Sequence, residues 1–403
     1  MLIFFLLISF LLTIFYVSIM LIYKNKWNKI VETSELSDNV QTFISIIIPA
    51  RNEAKNIENI LNDILQQKYP NDLFEVMVID DNSEDETYNI SSQFANDNSL
   101  QIRVYKLNEL LQETSTIAYK KRAIEAAVNL AKGTLIITTD ADCRVQKNWL
   151  KSIATLYESE NCRLIAAPVC FQNDQTNFEK FQTLDFCGMQ AITAASLNLG
   201  MFNMANGANL AYEKDAFLQV NGYQNIDDKA SGDDMLLVYK IAQQFPEKIK
   251  FLKDKNAVVF TEPTKTLNEF LQQRYRWTSK STSYQDKRIT LILGLVYLFV
   301  LSIWLNAFYF FSKSIYSILF PTKTLEALID FLPVFFVLIM LAFQFLSKSL
   351  VDYFFLSSSA KFFDRNDLMK SFFTSELLHI WYIPFVGTFG NILQYKWKGR
   401  KLK

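Results

Sequence analysis

An apolar, β-branched run that stops on two carboxylates, Leu135 to Cys143 (LIITTDADC), constrains this chain more than any other stretch. It reads as a buried strand that delivers acid to the edge of a sheet. Side chains alternate faces along a strand, so an extended backbone continuing past Thr139 would turn Asp140 and Asp142 the same way. Neighbouring carboxylates repel. A hard divalent cation with oxygen preference, Mg²⁺ or Mn²⁺, held together with substrate phosphates, is the usual partner that offsets this. The alternative is that both are turn residues capping the next helix, around Asn148 to Leu156.

The same signature recurs upstream. Phe43 to Pro49 (FISIIIP) is a continuous apolar strand of the kind buried on both faces of a parallel sheet. The next segment sets Ile57, Ile60, Leu61, Ile64 and Leu65 on one helical face, and Pro70-Asn71 ends the connection. Phe74 to Ile79 is a second strand, closing on Asp80-Asp81-Asn82-Ser83 and a helix that starts in acid, Glu84-Asp85-Glu86. Strand, helix, strand makes a right-handed βαβ unit. Gln101 to Lys106 reads as a third strand, and Lys120 to Ala131 as the helix leading into the acid-tipped run. Acid therefore collects at the carboxyl ends of at least two strands, where open α/β sheets bind ligands. Capping a helix takes one residue of Asp80, Asp81, Asn82 and Ser83. The surplus predicts acceptors aimed at a nucleobase or ribose. No Gly-x-Gly-x-x-Gly follows the first strand and no Gly-Lys-Ser/Thr loop occurs, which leaves a metal-bridged diphosphate as the way to hold a nucleotide.

Composition adds the membrane. Half of the 403 residues are apolar and 35 are Phe, too greasy for one ordinary soluble domain. The 41 basic and 41 acidic residues cancel, so no attraction to nucleic acid is indicated. Cys143, Cys162, Cys170 and Cys187 have no metal-finger spacing and His379 is the sole histidine, which argues against zinc and for free thiols in a reducing compartment. Met1 to Tyr23 carries no charge and is long enough to cross a hydrocarbon core of about 30 Å. Lys24, Lys26 and Lys29 follow this run instead of preceding it. An uncleaved anchor is therefore expected over a signal peptide, with the N-terminus outside and the following chain in the cytoplasm. The expected organisation is an anchor over 1–23, a linker over 24–41, a cytoplasmic α/β domain over 42–283 and a membrane region over 284–403. Within the last, spans are expected over Ile289–Phe311, behind Lys287-Arg288, and over Ala327–Leu346. Leu350 to Phe373, with Lys361, Arg365 and Lys370, reads as an interfacial amphipathic segment. Leu377 to Gln394 is broken by Pro384, Gly387 and Gly390 and either crosses or re-enters. The basic tail of Lys396, Lys398, Arg400, Lys401 and Lys403 favours re-entry, and His379 is read as structural.

Six stretches occur in order: Ser45 to Glu53 (SIIIPARNE), Val78 to Ser83 (VIDDNS), Thr138 to Cys143 (TTDADC), Asn206 to Tyr212 (NGANLAY), Gly232-Asp233-Asp234, and Gln273-Arg274-Tyr275-Arg276-Trp277. Over 42–283 the set resembles the membrane-bound family 2 glycosyltransferases, the group of cellulose, hyaluronan and poly-N-acetylglucosamine synthases and smaller lipid glycosyltransferases. That resemblance implies an α/β Rossmann-like nucleotide-diphospho-sugar (GT-A) domain with flanking transmembrane helices. It also implies inverting transfer from a nucleoside-diphosphate sugar, a UDP-sugar, to a lipid or growing polysaccharide at the cytoplasmic (inner) membrane. Pro49, Arg51 and Glu53 then belong to the nucleotide side, with Arg51 where relatives often place an aromatic residue; a guanidinium can stack there too. Asp80 and Asp81 contact base or ribose. Asp140 lies nearer the ribose and Asp142 on the metal. Lys120-Lys121 sits where relatives carry a Gly-Lys feature, and Lys121 is taken as the donor-side lysine although the glycine is absent.

The resemblance further implies a catalytic base at the start of a helix, here Asp234 supported by Asp233 before Met235 to Gln244. An acidic first helical turn that merely complements the macrodipole is the alternative. Phe178 to Met204 and Asn206 to Asn209 are expected to line the acceptor side. Trp277 would stack on the acceptor, and Gln273 and Arg276 would face the diphosphate leaving group. An interfacial anchor would equally explain Trp277 with Arg274, Arg276 and Lys280. A catalytically silent nucleotide-sugar-binding or regulatory protein is the alternative function, against which the intact Asp140, Asp142, Asp234 and Trp277 argue. A transporter would need more intramembrane charge and an internal repeat.

Overall fold

The structure, a computed structural model, describes residues 2–33, 35–98, 100–111, 119–202, 204–226, 232–320, 324–397 and 400–402, without the side chains of 282, 324–330, 396, 397 and 400–402. The basic-tail side chains therefore lie outside the described residues. The chain opens on α1 (Leu2–Lys29) and then alternates: β1 (Ile44–Ala50), α2 (Ile57–Leu65), β2 (Phe74–Asp80), α3 (Thr87–Asp97), β3 (Ile102–Lys106), α4 (Leu107–Leu110), α5 (Tyr119–Leu130) and β4 (Leu135–Thr138). Next come α6 (Trp149–Glu160), β5 (Leu164–Ala166), β6 (Val169–Phe171), α7 (Asn177–Asn198), β7 (Leu210–Glu213), α8 (Lys214–Gln219), α9 (Asp233–Gln244), β8 (Ile249–Phe251), β9 (Val259–Thr261) and α10 (Leu267–Ser279). The C-terminal part holds α11 (Lys287–Leu319), α12 (Thr324–Phe362), α13 (Phe372–Phe389) and the hairpin of β10 (Tyr395–Trp397) and β11 (Arg400–Leu402).

The main sheet has the order β3-β2-β1-β4-β7-β5-β8. Strands β1 to β4 pair in parallel, with Ile47 opposite both Met77 and Thr138. Alternate residues of β1 enter opposite cores: Ile44, Ile46 and Ile48 pack with α2 and α6, and Ile47 packs with α5 and α9. Burial on both faces is why this strand reads as an unbroken apolar run. At the far end of the strands, Gly133 lies so close to β1 that an added Cβ would stand 2.5 Å from the Ser45 backbone nitrogen.

Among the described residues, three helical stretches are long and apolar enough to cross a membrane: Leu2–Lys29, Lys287–Leu319 and Phe331–Phe362. The segment over Leu350 to Phe373 does not form a separate element at its start: Leu350–Phe362 continues α12 without a break, and Lys348 and Asp352, paired at 2.7 Å, are buried within that helix. Leu377 onward belongs to α13, a helix containing Pro384 that packs against α7, α10 and α11. Helix α7 lies in turn against α1 and α12. Gly188 permits that approach, since a Cβ there would meet Leu356 Cδ2 at 2.7 Å.

Candidate active site

Parallel pairing brings the carboxyl ends of β1, β2 and β4 to one edge, and the acidic loops open there. Asn52 and Asn82 turn the first two loops in the left-handed region, at φ 53° and 52°, a conformation asparagine tolerates. Arg51 Nη1 donates to the carbonyl oxygens of Asp81 (2.7 Å) and Asn82 (3.0 Å), tying the two loops together. Asp80 Oδ2 accepts from the Ser83 amide at 3.2 Å, while its Oδ1 is buried without a hydrogen-bond partner among the described residues. Glu53 serves the loop: its carbonyl accepts from the Asn56 and Ile57 amides, and its Oε2 accepts from Asn56 Nδ2 at 2.7 Å. Pro49 stays within β1, and Asp81 is buried beside it.

The acid tip after β4 differs from the strand expectation. The strand ends at Thr138, and the Cys143 amide donates to the Asp140 carbonyl at 3.1 Å, closing a turn. Strand alternation therefore does not orient the two carboxylates. Instead the buried Ala141 and Cys143 anchor the turn in the core and leave Asp140 half-buried and Asp142 exposed. Helix α6 begins only after Asn148, so neither carboxylate caps it. Burial, with Asp142 and Asp140 adding to it, pushes the Cys143 thiol well above its ordinary range, which keeps it from acting as a thiolate ligand. Among the described residues no group of three or more His, Cys, Asp and Glu forms a metal cage. Two oxygen-only side chains on an exposed turn do fit a Mg²⁺ or Mn²⁺ ion that completes its shell with water and substrate phosphates.

Strand β7 runs antiparallel to β4, with Leu210 opposite Thr138, so the segment before it returns to the same edge. Asn209 is scaffold: its Nδ2 donates to the Pro168 and Ala257 carbonyls at 2.8 Å each, and its Oδ1 accepts from Trp149 Nε1. Gly207 accepts from Thr138 Oγ1 at 3.0 Å and donates its amide to Asp234 Oδ2 at 3.3 Å. A Cβ on Gly207 would lie 3.0 Å from Asp233 Oδ2, so glycine is what lets the start of α9 come this close to the tip of β4.

Two lysines pair with these carboxylates, and Lys120 bridges two of them. Lys120 Nζ lies 2.7 Å from Asp140 Oδ1 and 3.3 Å from Asp233 Oδ2, and Lys280 Nζ lies 3.4 Å from Asp234 Oδ1. Burial by itself would lower the Lys120 pKa, but Asp140 and Asp233 raise it above the ordinary lysine value. Burial would likewise raise Asp233, and Lys120 and then Lys280 hold it below the usual carboxylate value. Of the two adjacent lysines, Lys120 is the one that meets Asp140, while the buried ammonium of Lys121 donates to the Ile226 carbonyl at 2.6 Å and lies near enough to help lower Asp233.

Helix α10 starts on a capping box of Thr266 and Glu269 and presents Gln273, Arg276 and Trp277. Trp277 stacks on Phe186 of α7 with ring centroids 5.8 Å apart. Gln273 Oε1 is buried without a partner among the described residues. Sequence reasoning missed the roles of Lys280 and Tyr284; the Tyr284 hydroxyl is pushed up to about 12, chiefly by burial and then by Asp234. The signal for Lys280 was its place three residues after Trp277, next to it on the same helical surface.

A parallel αβ half whose strand tips carry the acids, joined to an antiparallel extension that brings back a second acidic helix, is the GT-A nucleotide-sugar architecture. The family profile of glycosyl transferase family 2 matches residues 45–207, and that of glycosyl transferase family group 2 matches residues 135–347. The chain belongs to this family and is a family 2 glycosyltransferase. Among curated relatives, glycosyltransferase AglE of Haloferax volcanii is 28% identical over 238 residues, covering 58% of this chain and 71% of that protein. The beta-monoglucosyldiacylglycerol synthase of Trichormus variabilis is 29% identical over 136 residues, 34% of this chain and only 28% of the synthase. In fold, the chain is similar to the mannosyltransferase PcManGT of Pyrobaculum calidifontis, solved with GDP-Man and Mn²⁺. The TM-score is 0.57 at 17% identity, over 93% of this chain and 99% of that one.

Proposed function

We propose that this protein is an inverting, metal-dependent hexosyltransferase that moves a sugar from a UDP-sugar to a lipid or polysaccharide acceptor at the cytoplasmic membrane. The observation that carries the reading is the meeting of Asp140, Lys120 and Asp233 within ion-pair distance at the strand edge, which brings the donor-side acid and the start of α9 into one site. A bound Mg²⁺ or Mn²⁺ would supply Lewis-acid stabilisation of the diphosphate, with Asp142 and Asp140 as its protein ligands. Asp80 and Asp81 receive the base and ribose, where the unpartnered Asp80 Oδ1 offers an acceptor. Lys120 can turn from Asp140 to donor phosphate without leaving the site. Asp234 takes the proton of the acceptor hydroxyl as a positioned base, and Asp233 fixes the start of its helix. Gln273 and Arg276 face the leaving diphosphate and Trp277 the acceptor.

The membrane placement rests on the three apolar helices and on charge: Lys26 and Lys29 lie in the last turn of α1, and α11 opens on Lys287-Arg288. Both sets of charges support a cytoplasmic catalytic domain, on the side where nucleotide sugars are made. Mass spectrometry of products from membranes fed labelled UDP-sugars, with GDP-sugars in parallel, tests the reading. A glycosylated lipid or polymer formed only with the intact Asp142 supports it, and donor that is neither transferred nor hydrolysed overturns it.

A further inference from the structure

Trp277 is held by groups that connect it to the membrane helices. Phe186 stacks on its ring, and the Arg274 guanidinium lies 4.5 Å from the ring centroid. Arg274 is 3% exposed, and its Nη2 stands 2.9 Å from Asp185 Oδ2 at an angle that makes an ion pair and not a hydrogen bond. Asp185 immediately precedes Phe186, so one turn of α7 supplies both the stacking ring and the counter-charge. Tyr382 of α13 donates its hydroxyl to the same carboxylate at 3.1 Å. One turn earlier on α13, His379 places Nε2 3.8 Å from Asp185 Oδ1 and Nδ1 3.3 Å from Lys348 Nζ. Lys348, fully buried in α12, pairs at 2.7 Å with both Asp352 and Glu376, and Tyr16 of α1 donates to Asp352 at 2.8 Å.

Charges buried inside membrane helices are expensive, and well-packed apolar residues of the same volume would hold the helices together at least as well. What an ion-paired guanidinium adds is a plane fixed in direction, which an aromatic ring beside it must follow. We infer that Asp185 and Arg274 are positioning residues for Trp277, and that α1, α12 and α13 set that position through the contacts running from Tyr16 over Lys348 and His379 to Asp185. This rests on the reading of Trp277 as the acceptor contact, but it is tested on Trp277 itself.

In the full chain in lipid nanodiscs, the emission of Trp277 is isolated as the difference between each protein and its Trp277→Phe counterpart. Arg274→Lys keeps a charge beside Asp185 and loses the planar face. It should red-shift Trp277 emission and raise its quenching by acrylamide, which a mere charge-balancing role would leave unmoved; Asp185→Asn should do the same. Unchanged Trp277 emission in both variants overturns the inference. Lys348→Met strands two buried carboxylates and can fail to fold, so it is combined with Asp352→Asn and Glu376→Gln; an unshifted Trp277 in that folded triple variant overturns the membrane part. Transfer from labelled donor, read in parallel, separates the two readings. A shifted Trp277 with unchanged transfer supports the positioning and instead removes Trp277 from acceptor contact.

Discussion

Lys120 Nζ stands 2.7 Å from Asp140 Oδ1 and 3.3 Å from Asp233 Oδ2, joining the tip of β4 to the helix that carries Asp233 and Asp234. The ammonium neutralises acid that would otherwise repel across the site.

Removing that cation should therefore destabilise the protein. Lys120→Met leaves Asp233 buried without its main partner, at a cost of about 1–3 kcal/mol, moderated because Asp140 is partly exposed. The sign with pH follows from Asp233, whose pKa is held below its unfolded value of 3.8. The pair's contribution is present at neutral pH and is lost as pH falls below about 4 toward the folded pKa. Unfolding followed across that window should show the gap between wild type and variant narrowing in acid. A gap that does not change with pH would remove the ion pair as its source.

If Asp142 holds a diphosphate-bound cation as proposed, Asp142→Asn should abolish transfer and remove the metal-dependent part of nucleotide affinity, because it deletes that exposed carboxylate. Isothermal titration of UDP with and without Mn²⁺ measures this. Equal metal dependence in variant and wild type would exclude Asp142 as a ligand.

Asp234→Asn discriminates a base from a helix-dipole residue. As a dipole partner the carboxylate contributes under about 1 kcal/mol, and turnover would barely move. As the base, its loss should lower turnover by about 10²–10⁴ while donor affinity survives. Asp233→Asn, measured beside it, should affect stability more than chemistry. The opposite pattern would exchange their roles.

Glu86→Cys tests topology against a low background, since Cys143, Cys162, Cys170 and Cys187 are all buried and Glu86 is exposed. In intact cells the introduced thiol should resist an impermeant maleimide and react only after lysis. Labelling from outside would place the catalytic domain on the other side of the membrane.

The strands that build the donor edge were legible because each is a local event: an unbroken apolar run buried on both faces, as in Ile44–Ala50 and Phe74–Asp80, followed by polar residues that cannot enter the core. The polar ends of these strands also brought Asp80 and Asp140 forward as candidate site residues, whereas Asp234 came only with the family resemblance; unbroken apolar length marked the first helix and the one beginning at Lys287. Other features depended on which way a side chain turns once its element is packed. Asp140 and Asp142 owe their exposure to the anchoring of Ala141 and Cys143 in the core, not to strand alternation. Lys120 faces the acids and Lys121 the Ile226 carbonyl because α5 docks on the sheet by one face. Lys348 and Asp352 look like the end of a span when read along the chain, and only the approach of α13 with Glu376 shows why the helix carries them buried. Sequence by itself determined which segments are apolar and where acid must emerge, since burial of a run is set by its own composition. Tertiary structure decided the pairings across elements, Lys120 with Asp140 and Arg274 with Asp185, because a charge finds its partner by distance in space, which hydrophobic periodicity does not encode.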